Sequence, residues 1–491
     1  MRTLTYYLPQ FHTIPENDKW WGKGFTEWET VRNAKPLFEE HRQPRKPLKG
    51  NYYNLLDKET MQWQADLMKK YGIDGQCFYH YYFEDGKKLL EKPAENLLKW
   101  TDIDMPFCFD WANENWIRTW SNILGGNVWA DVVEKTENDN IDGILMEQKF
   151  GRKKEWKQHF EYLLPFFRDP RYIKHEGKPV FLFHTPDEIP CMHQMIEYWR
   201  ELASQTELGD IYFIGVNVTR TNNGLDAVLY NAPHAFWKIE KKDGLNVMNY
   251  SQMWENLLHT EALQDTTTYF SGMPDVDNSP RKGRKGVITQ GVSVDIFREG
   301  MTQLYRKSKE LGNEFVFINA WNEWGEGMYL EPDEENGYAY LEAVEQAQVE
   351  ADKETFNIKT EDMKPFKLPE FWQQKRLKCL NRWLDKKEEG KRIEKYLNKY
   401  GINSVAIYGM GLLGKHLIKE LQNSNIEIKC IIDKDDLLNH PKYKIVKPDS
   451  YNNEGDALII TAIKEYDNIY DMMKKQFDKE IFSMEEIIFE M

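Results

Sequence analysis

Short β-rich runs alternate with helical patterns or long loops over the first ~340 residues of the chain. Strands that alternate with helices pair in parallel, and a chain with eight such units is expected to form a (β/α)8 TIM-type barrel. An open doubly wound α/β sheet shows the same alternation, and periodicity does not separate the two architectures. The predicted strands cover residues 4–8, 76–83, 106–111, 180–184, 211–216, 228–236, 286–292 and 315–320. Amphipathic helices are predicted between them over 58–71, 154–167, 194–204 and 296–311.

The length of 491 residues suits a large domain followed by a small one. We predict a barrel domain over 1–355, a linker with a basic helix over 356–400, and a smaller C-terminal Rossmann-like α/β domain over 401–491. The basic stretch 373–399 has two interpretations. It is either a helix that lies on an anionic membrane surface or a connector helix that packs its Leu and Trp residues on a domain.

Charge and cysteine content argue against several classes of protein. The formal net charge of −15 disfavours general nucleic-acid binding. The five cysteines lie far apart without a CxxC pair, which is typical of reduced thiols and predicts neither a metal site nor a disulfide framework. The amino terminus is too short and polar for a signal peptide, and no apolar run reaches the ~20 residues of a membrane span. We therefore expect a cytoplasmic protein, and the basic stretch leaves contact with the inner membrane surface open.

The stretch Trp321-Asn322-Glu323-Trp324-Gly325-Glu326-Gly327 follows an apolar run that ends a predicted strand. It places two carboxylates three residues apart, with tryptophans around them and glycines that let the backbone turn. Close carboxylates push their pKa values apart, so one can act as an acid while the other acts as a base. Such pairs break and make glycosidic bonds. Glu323 and Glu326 are therefore the predicted catalytic pair, and the alternative is that one or both cap a helix or pair with an arginine.

Polar and aromatic residues follow several other predicted strands, and in a barrel these strand ends converge on one face. Glu114 is a candidate for binding sugar hydroxyls or for a third catalytic carboxylate, and the alternative is a salt bridge or loop hydrogen bond. The histidines show no metal-ligand spacing, so hydrogen bonding to substrate or core burial is expected. The aromatic residues are stacking platforms or core. The candidate substrate-binding residues at these ends are Gln10, His12, Trp21, Glu27, Trp28, His80, Tyr81, Asn113, Glu114, Trp116, His184, Trp321, Asn322 and Trp324.

A glycine-rich turn marks the C-terminal region. Gly409, Gly411 and Gly414 stand between a predicted strand and a predicted helix, and Asp433 ends the next strand. This arrangement is the dinucleotide-binding fingerprint, in which the helix amino terminus favours phosphate. A nucleotide or nucleotide-sugar site is one interpretation, and the other is an accessory module that binds no ligand.

Several ordered segments resemble the WbsX-type proteins, which are related to glycoside hydrolase family 99, the endo-α-mannosidase family. The resemblance covers roughly the first 350 residues and implies a (β/α)8 barrel. WbsX-type proteins are associated with bacterial surface-polysaccharide biosynthesis and are described as glycosyltransferases. The resemblance adds Tyr7 and Glu331 to the substrate-binding candidates. The segments are Tyr6-Tyr7-Leu8-Pro9-Gln10-Phe11-His12, Trp20-Trp21-Gly22-Lys23-Gly24-Phe25-Thr26-Glu27-Trp28, Trp111-Ala112-Asn113-Glu114-Asn115-Trp116, Trp321-Asn322-Glu323-Trp324-Gly325-Glu326-Gly327 and Leu330-Glu331-Pro332.

In the hydrolase family, a motif of the type WNEWxEG carries both catalytic carboxylates. The resemblance therefore implies that Glu323 is the base that deprotonates the sugar 2-hydroxyl, giving an epoxide-like intermediate and retention. It implies that Glu326 is the acid that protonates the leaving oxygen, and it implies no cofactor for the barrel. The early motifs follow the WbsX pattern more closely than the hydrolase pattern, so neither the substrate nor hydrolysis over transfer carries over.

Together, these patterns predict a glycan-processing enzyme of bacterial surface-polysaccharide (O-antigen or capsule) biosynthesis. It would transfer glycosyl groups with retention and act on an oligosaccharide or lipid-linked glycan. A retaining endo-glycosidase and a non-catalytic glycan-binding protein are the alternatives. A nicotinamide-dependent oxidoreductase is supported only by the C-terminal glycines.

Overall fold

Eight parallel strands close into a barrel, because each strand pairs with two neighbours and the first strand pairs with the last. This closure confirms the predicted barrel and excludes the open sheet. The computed structural model describes residues 1–117, 144–218, 224–366, 371–435, 438 and 440–491. The barrel strands, labelled β1–β8 in chain order, are Arg2–Tyr7, Gly75–Tyr82, Phe107–Trp111, Lys178–Phe183, Tyr212–Val216, Ala227–Tyr230, Thr267–Gly272 and Phe315–Ile318.

Continuous apolar runs form most of the barrel because these strands are buried on both faces. All four residues of β8 are buried, for example. Helices cover the outside with one apolar face, and the four helices predicted from periodicity are confirmed to within two residues at each end. The helices of this domain are Pro15–Trp21, Glu27–Arg32, Lys58–Lys70, Lys92–Lys99, Lys153–Arg168, Met192–Ser204, Tyr250–Leu258, Ser279–Lys282, Val294–Glu310 and Ala339–Ala351.

The seventh barrel strand was predicted in the wrong place. The predicted run 286–292 contains the strand Val287–Gln290, but that strand pairs with Leu245–Asn249 in a three-stranded sheet outside the barrel. The true strand β7 is rich in Thr, Ser and Gly, which obscured it in the sequence. Its buried Ser271 has a partner at the end of the neighbouring strand: Ser271 Oγ donates to Asn231 Oδ1 at 2.6 Å. Burial of such polar groups needs these partners.

The C-terminal region forms a five-stranded parallel sheet with apolar clusters on its two faces. Its strands, labelled β9–β13 in chain order, are Ser404–Tyr408, Glu427–Ile432, Ile445–Val446, Ala457–Ile460 and Glu480–Ser483. Across the sheet they lie in the order β11-β10-β9-β12-β13. The helices of this module are Leu412–Leu421, Tyr466–Lys474 and Met484–Glu490.

The predicted basic helix is two helices, Phe371–Glu388 and Ile393–Lys399, and residues 367–370 of the predicted linker lie outside the described residues. Its cations contact acidic residues of both domains. Lys375 Nζ is 3.0 Å from Glu485 Oε2, and Arg382 forms an ion pair with Glu147. Lys378 pairs with Glu188, and Lys387 pairs with Glu420. These contacts favour the connector interpretation. None of the described helices combines the length and apolar character that crossing a bilayer requires.

Candidate active site

A cavity of about 480 Å³ opens at the carboxyl ends of the barrel strands. Active sites of barrel enzymes lie at this face because the loops after the strands converge there. Segments from both ends of the barrel domain meet in its wall, since β1 and β8 are neighbours. The predicted site residues that line the cavity are Gln10, Trp21, Glu27, Tyr81, Glu114, Trp116, His184, Glu323 and Glu326.

One arginine contacts both predicted catalytic carboxylates. Arg281 Nη2 donates to Glu323 Oε2 at 3.0 Å, and Nη1 donates to Glu326 Oε1 at 2.5 Å. Its Nε donates to Glu27 Oε1 at 2.8 Å. Because one planar guanidinium bonds both carboxylates, the two groups are close neighbours with fixed orientations. The carboxylate pair and the arginine partner, which were alternatives in the sequence, therefore coexist in one cluster.

Glycines in the turn between the two carboxylates make room for this cluster. A Cβ atom on Gly325 would lie 1.7 Å from Glu27 Oε1 and 2.9 Å from Arg281 Nε. Gly327 has a φ of 71°, and a Cβ atom there would lie 2.8 Å from Asp277 N. Gly325 thus allows Glu27 and Arg281 to approach the backbone, and Gly327 provides the left-handed conformation that ends the turn.

The two carboxylates have opposite pKa shifts. Burial raises the pKa of Glu323 to about 8, although Arg281 opposes the shift, and the nearby charges of Glu326 and Glu27 add to it. Burial also acts to raise the pKa of Glu326. Arg281 and the other basic side chains near Glu326 outweigh burial, so the pKa of Glu326 is lowered. The side chain of Glu326 is also more exposed, at 21% against 8% for Glu323. These opposite directions favour a neutral carboxyl group at Glu323 and a carboxylate at Glu326, and the two groups titrate as a pair.

His184 follows β4 and carries a positive charge into the cavity wall. Its Nδ1 lies 2.8 Å from Oδ2 of Asp110, a fully buried carboxylate on β3. Burial lowers the pKa of His184, but Asp110 outweighs this effect and the pKa rises to about 9. Asn113 does not line the cavity; it joins two loops by bonding the backbone N–H and C=O of Thr185.

Glu331 is buried behind the turn, where several side chains donate hydrogen bonds to it, and it does not line the cavity. It accepts hydrogen bonds from Tyr53 Oη, Gln64 Nε2 and the indole N–H groups of Trp321 and Trp324, all at 2.7–2.8 Å. Burial raises the pKa of Glu331 to about 7 against these four donors. The two tryptophans are fully buried, so they fix the turn through their N–H groups and present no face to a sugar.

Two predicted histidines also lie away from the cavity. His80 points into the packing between barrel and helices, where its Nε2 is 2.8 Å from Nε2 of His159. His12 is buried, and burial lowers its pKa to about 4. These positions fit the core alternative for histidine that the sequence left open.

Three further candidates do not line the cavity but form hydrogen bonds behind its wall. Tyr7 Oη donates to Gln64 Oε1 at 2.7 Å, and Trp28 Nε1 donates to the backbone oxygen of Tyr53 at 2.8 Å. Asn322 bonds both the N–H and the C=O of Leu8, so it joins the ends of β1 and β8. These contacts position the turn that carries the carboxylates.

Several residues of the cavity wall were not among the predicted site residues. Asn231 directly follows β6 and Asn319 directly follows β8, so the strand-end rule identifies both. Arg281 follows β7. Because the seventh strand was predicted at 286–292, Arg281 stood before the predicted strand and was not recognised as a residue at a strand end. Correct placement of β7 would have found it. The unselected residues of the wall include Tyr79, Asn231, His234, Arg281, Lys282 and Asn319.

In the C-terminal module the four predicted cofactor residues lie together. A cavity of about 360 Å³ adjoins Gly409 and Gly411. A Cβ atom on Gly414 would lie 2.0 Å from the backbone oxygen of Gly409, whereas one on Gly411 would meet open space. Asp433 Oδ2 accepts from Met410 N at 2.8 Å, so its carboxylate holds the turn. In the described part of the chain, no three His, Cys, Asp or Glu side chains are arranged to hold a metal ion.

Comparison with known proteins gives relatives for the barrel domain. The protein described as "uncharacterized protein WxcX" in two strains of Xanthomonas campestris pv. campestris is 33% and 34% identical over 360 and 359 residues. These alignments cover 70% of this chain and 49% of the relatives, so the chain spans about half the length of the curated relatives it matches.

Two solved structures are similar at low identity. The GH99 endo-α-mannosidase from Bacteroides thetaiotaomicron, in complex with bis-tris-propane, is 14% identical with a TM-score of 0.44, covering 72% of this chain and 97% of that chain. A "glycoside hydrolase-like protein" is 12% identical with a TM-score of 0.45, covering 70% and 93%.

The family model described as "Glycosyltransferase WbsX" matches residues 3–344, a span that runs from β1 past the carboxylate pair. This chain therefore belongs to the WbsX glycosyltransferase family.

Proposed function

We propose that this protein is a glycan-processing enzyme of polysaccharide biosynthesis that transfers a glycosyl group with retention, using Glu323 and Glu326. The observation that carries the proposal is the carboxylate pair that Arg281 holds in the cavity wall. The cavity also has aromatic walls from Tyr81 and Trp116, which suit the C–H faces of a sugar ring. An oligosaccharide or a lipid-linked glycan is the proposed substrate.

The chemistry needs one protonated and one ionised carboxyl group. The protonated group gives its proton to the leaving oxygen as the bond between that oxygen and C1 breaks. The ionised group takes the proton of the sugar 2-hydroxyl, whose oxygen closes on C1 as an epoxide. An acceptor hydroxyl then attacks C1 and opens the epoxide, and it gives its own proton to the first group, which is now a carboxylate. The second group, which is now a carboxylic acid, returns its proton to O2, so the configuration at C1 is retained.

The pKa directions support an order of roles that differs from the order that the resemblance implies. Burial favours a neutral Glu323 and the neighbouring cations favour an ionised Glu326, whereas the resemblance makes Glu326 the acid. We propose that Glu323 is the acid, because burial favours its neutral form and the cations beside Glu326 favour that anion. A glycosyl fluoride needs no acid, so it separates the roles. Turnover on the fluoride should recover in Glu323→Gln, and recovery in Glu326→Gln instead would restore the resemblance order.

Product analysis tests the proposed reaction itself. The purified protein is offered nucleotide-activated sugars and lipid-linked oligosaccharides, and products are identified by mass spectrometry. In ¹⁸O-labelled water, a hydrolase places the label in the product, whereas a transferase leaves it out. Loss of product in Glu323→Gln and Glu326→Gln, with full activity in Glu345→Gln on an exposed helix face, supports the proposal. Binding of glycan without any turnover in the wild type would favour the non-catalytic alternative.

The C-terminal module is proposed to bind a nucleotide or nucleotide-sugar at the glycine-rich turn. The support is the cavity beside Gly409 and Gly411, which Arg376 and Lys464 also line with positive charge. Calorimetric titration of the full chain with uridine and guanosine diphosphates and with NAD tests this part. Gly411→Ala places a methyl group in open space, so it should weaken binding without disturbing the fold. Absence of binding in the wild type would leave the module as an accessory domain and would remove the oxidoreductase alternative.

A further inference from the structure

A cluster of exposed cations lies outside the barrel on the three-stranded sheet. Its strand Ile239–Lys242 pairs antiparallel with Leu245–Asn249, which pairs in parallel with Val287–Gln290. Every residue of Ile239–Lys242 is exposed, and this strand forms the sheet edge. We call the exposed residues here the basic hairpin surface: Lys238, Ile239, Lys241, Lys242, Arg284 and Lys285.

Two segments of the chain form this surface, and hydrogen bonds hold them side by side. Arg284 Nη2 donates to the backbone oxygen of Asp243 at 2.9 Å. Asn246 Nδ2 donates to the backbone oxygen of Lys285, also at 2.9 Å. The cations of the 284–285 turn therefore add to those of the hairpin in one field.

Most of these cations have no acidic partner among the residues that the structure describes. Lys238 is 3.3 Å from Glu240, but Lys241, Lys242, Arg284 and Lys285 make no salt bridge with any described residue. Glu240 and Asp243 are the acidic residues within the hairpin. The surface is thus locally positive on a chain whose net charge is −15.

The basic helix Phe371–Glu388 provides a contrast. Its Lys375, Lys378, Arg382 and Lys387 pair with carboxylates of the same protein. Their charges are neutralised within the fold, so this helix has little field to offer an anionic surface. Apart from Lys238, the cations of the basic hairpin surface lack such pairing in the described part of the chain.

We propose that the basic hairpin surface docks the protein on an anionic phospholipid surface. The cations lie along an exposed sheet edge and an adjoining turn, and this extended arrangement suits a plane of headgroups better than a single phosphate. Ile239, 41% exposed among them, supplies an apolar side chain that can enter the interface. Lysines also protect a sheet edge from unwanted pairing, but Arg284 and Lys285 do not lie on that edge.

The acidic remainder of the molecule would set the orientation on the membrane. Charges act over a Debye length of roughly 8–10 Å, so the part of the protein surface nearest the lipid determines whether the protein is attracted. An acidic face turned toward the lipid would be repelled. The sequence neighbours Lys282 and His234 line the cavity, which places this surface at the cavity rim. The docked orientation therefore brings the cavity close to the lipid plane. The docking itself does not depend on the proposed function. Only the idea that the docked cavity reaches a lipid-linked glycan rests on that function.

Vesicle sedimentation with the full chain tests the docking directly. The vesicles contain either phosphatidylcholine alone or phosphatidylcholine with phosphatidylglycerol. We compare the wild type with the variant in which Lys238, Lys241, Lys242, Arg284 and Lys285 are all replaced by Gln. The matched control replaces five exposed lysines on other faces by Gln: Lys69, Lys99, Lys154, Lys157 and Lys359.

We expect the wild type to bind only the anionic vesicles, and less so at high salt. Each cation near an anionic surface changes partitioning about fivefold, so the hairpin variant should lose well over tenfold in binding while the control stays within about twofold. Ile239→Ser should weaken vesicle binding more modestly, by a few-fold. Failure of the wild type to sediment, or equal loss in both variants, overturns the inference. Sedimentation needs no turnover, so an inactive protein that still docks would reject only the proposed function.

Discussion

In the barrel, the turn after β8 brings ionisable side chains together, whereas in the module the turn after β9 brings together backbone and apolar side chains. Both turns stand at the carboxyl ends of parallel strands and both contain glycines. At Gly325 the missing Cβ leaves room for Glu27 and Arg281, and at Gly414 it leaves room for the backbone oxygen of Gly409. The same residue type thus serves a charged site in one region and close packing in the other.

The comparison shows that position in the topology selects where a ligand can bind, but side-chain chemistry selects what can happen there. The barrel turn carries opposed pKa shifts on neighbouring carboxylates, which acid–base catalysis requires. The carboxylate of the module, Asp433, is engaged by the backbone of the turn. Catalysis is therefore expected to depend on the barrel turn and to be insensitive to the module turn.

The largest expected effect comes from removing either carboxylate. Glu323→Gln and Glu326→Gln should each lower kcat by about 10²–10⁴-fold, because each loses one proton-transfer step. Gly411→Ala in the module should leave kcat for an acceptor substrate unchanged. Steady-state kinetics on one substrate measures all three. Equal losses in barrel and module variants would break the distinction between the two regions.

Replacement of the shared arginine should have the next largest effect. Arg281→Lys keeps a positive charge but cannot bond three carboxylates in one plane, so roughly 10–100-fold in kcat should be lost through misplacement. Without the guanidinium, the pKa of Glu326 should rise. Activity should then fall at a higher pH on the acidic side of the pH–rate profile. An unchanged profile would mean that Arg281 does not set the ionisation of the pair.

The two module glycines provide a matched stability test. Gly414→Ala brings a methyl group against the backbone oxygen of Gly409, so about 2–4 kcal/mol of unfolding free energy should be lost. Gly411→Ala meets open space and should stay within about 0.5 kcal/mol of the wild type. Urea denaturation followed by far-ultraviolet circular dichroism compares them. Similar losses in both variants would contradict the packing difference.

The smallest expected effect is a pH dependence of stability that arises from Glu323. Its pKa is raised to about 8 in the folded protein, so between its unfolded value and pH 8 the folded chain holds a proton that the unfolded chain has lost. This carboxyl therefore costs stability as the pH rises through that range and has no effect below it. Glu323→Gln should stabilise the protein by roughly 1–3 kcal/mol at pH 9 relative to pH 5. A constant difference between variant and wild type would argue that the carboxyl is not shifted.

Sequence patterns predicted the barrel, seven of its eight strands and the carboxylate pair, because these depend on local apolar runs and on a compact motif. The seventh strand failed because β7 is buried with polar side chains whose partners lie far away in the chain. That error hid Arg281, which becomes visible only as a residue that follows β7. Trp321 and Trp324 were predicted as substrate-binding candidates, but each is buried and donates its indole N–H to Glu331, ten and seven residues further along the chain. No periodicity encodes which acceptor an indole will meet.

The pairing of β1 with β8 has a consequence for how the protein is made. The residues after β1 leave the ribosome long before Glu323 and Glu326, which follow β8. A nascent chain that stops before β8 leaves β1 and β7 each with an unpaired edge in place of a closed ring. The enzyme is therefore expected to gain activity in a single late event, and fragments that lack the last strand should be inert and prone to self-association.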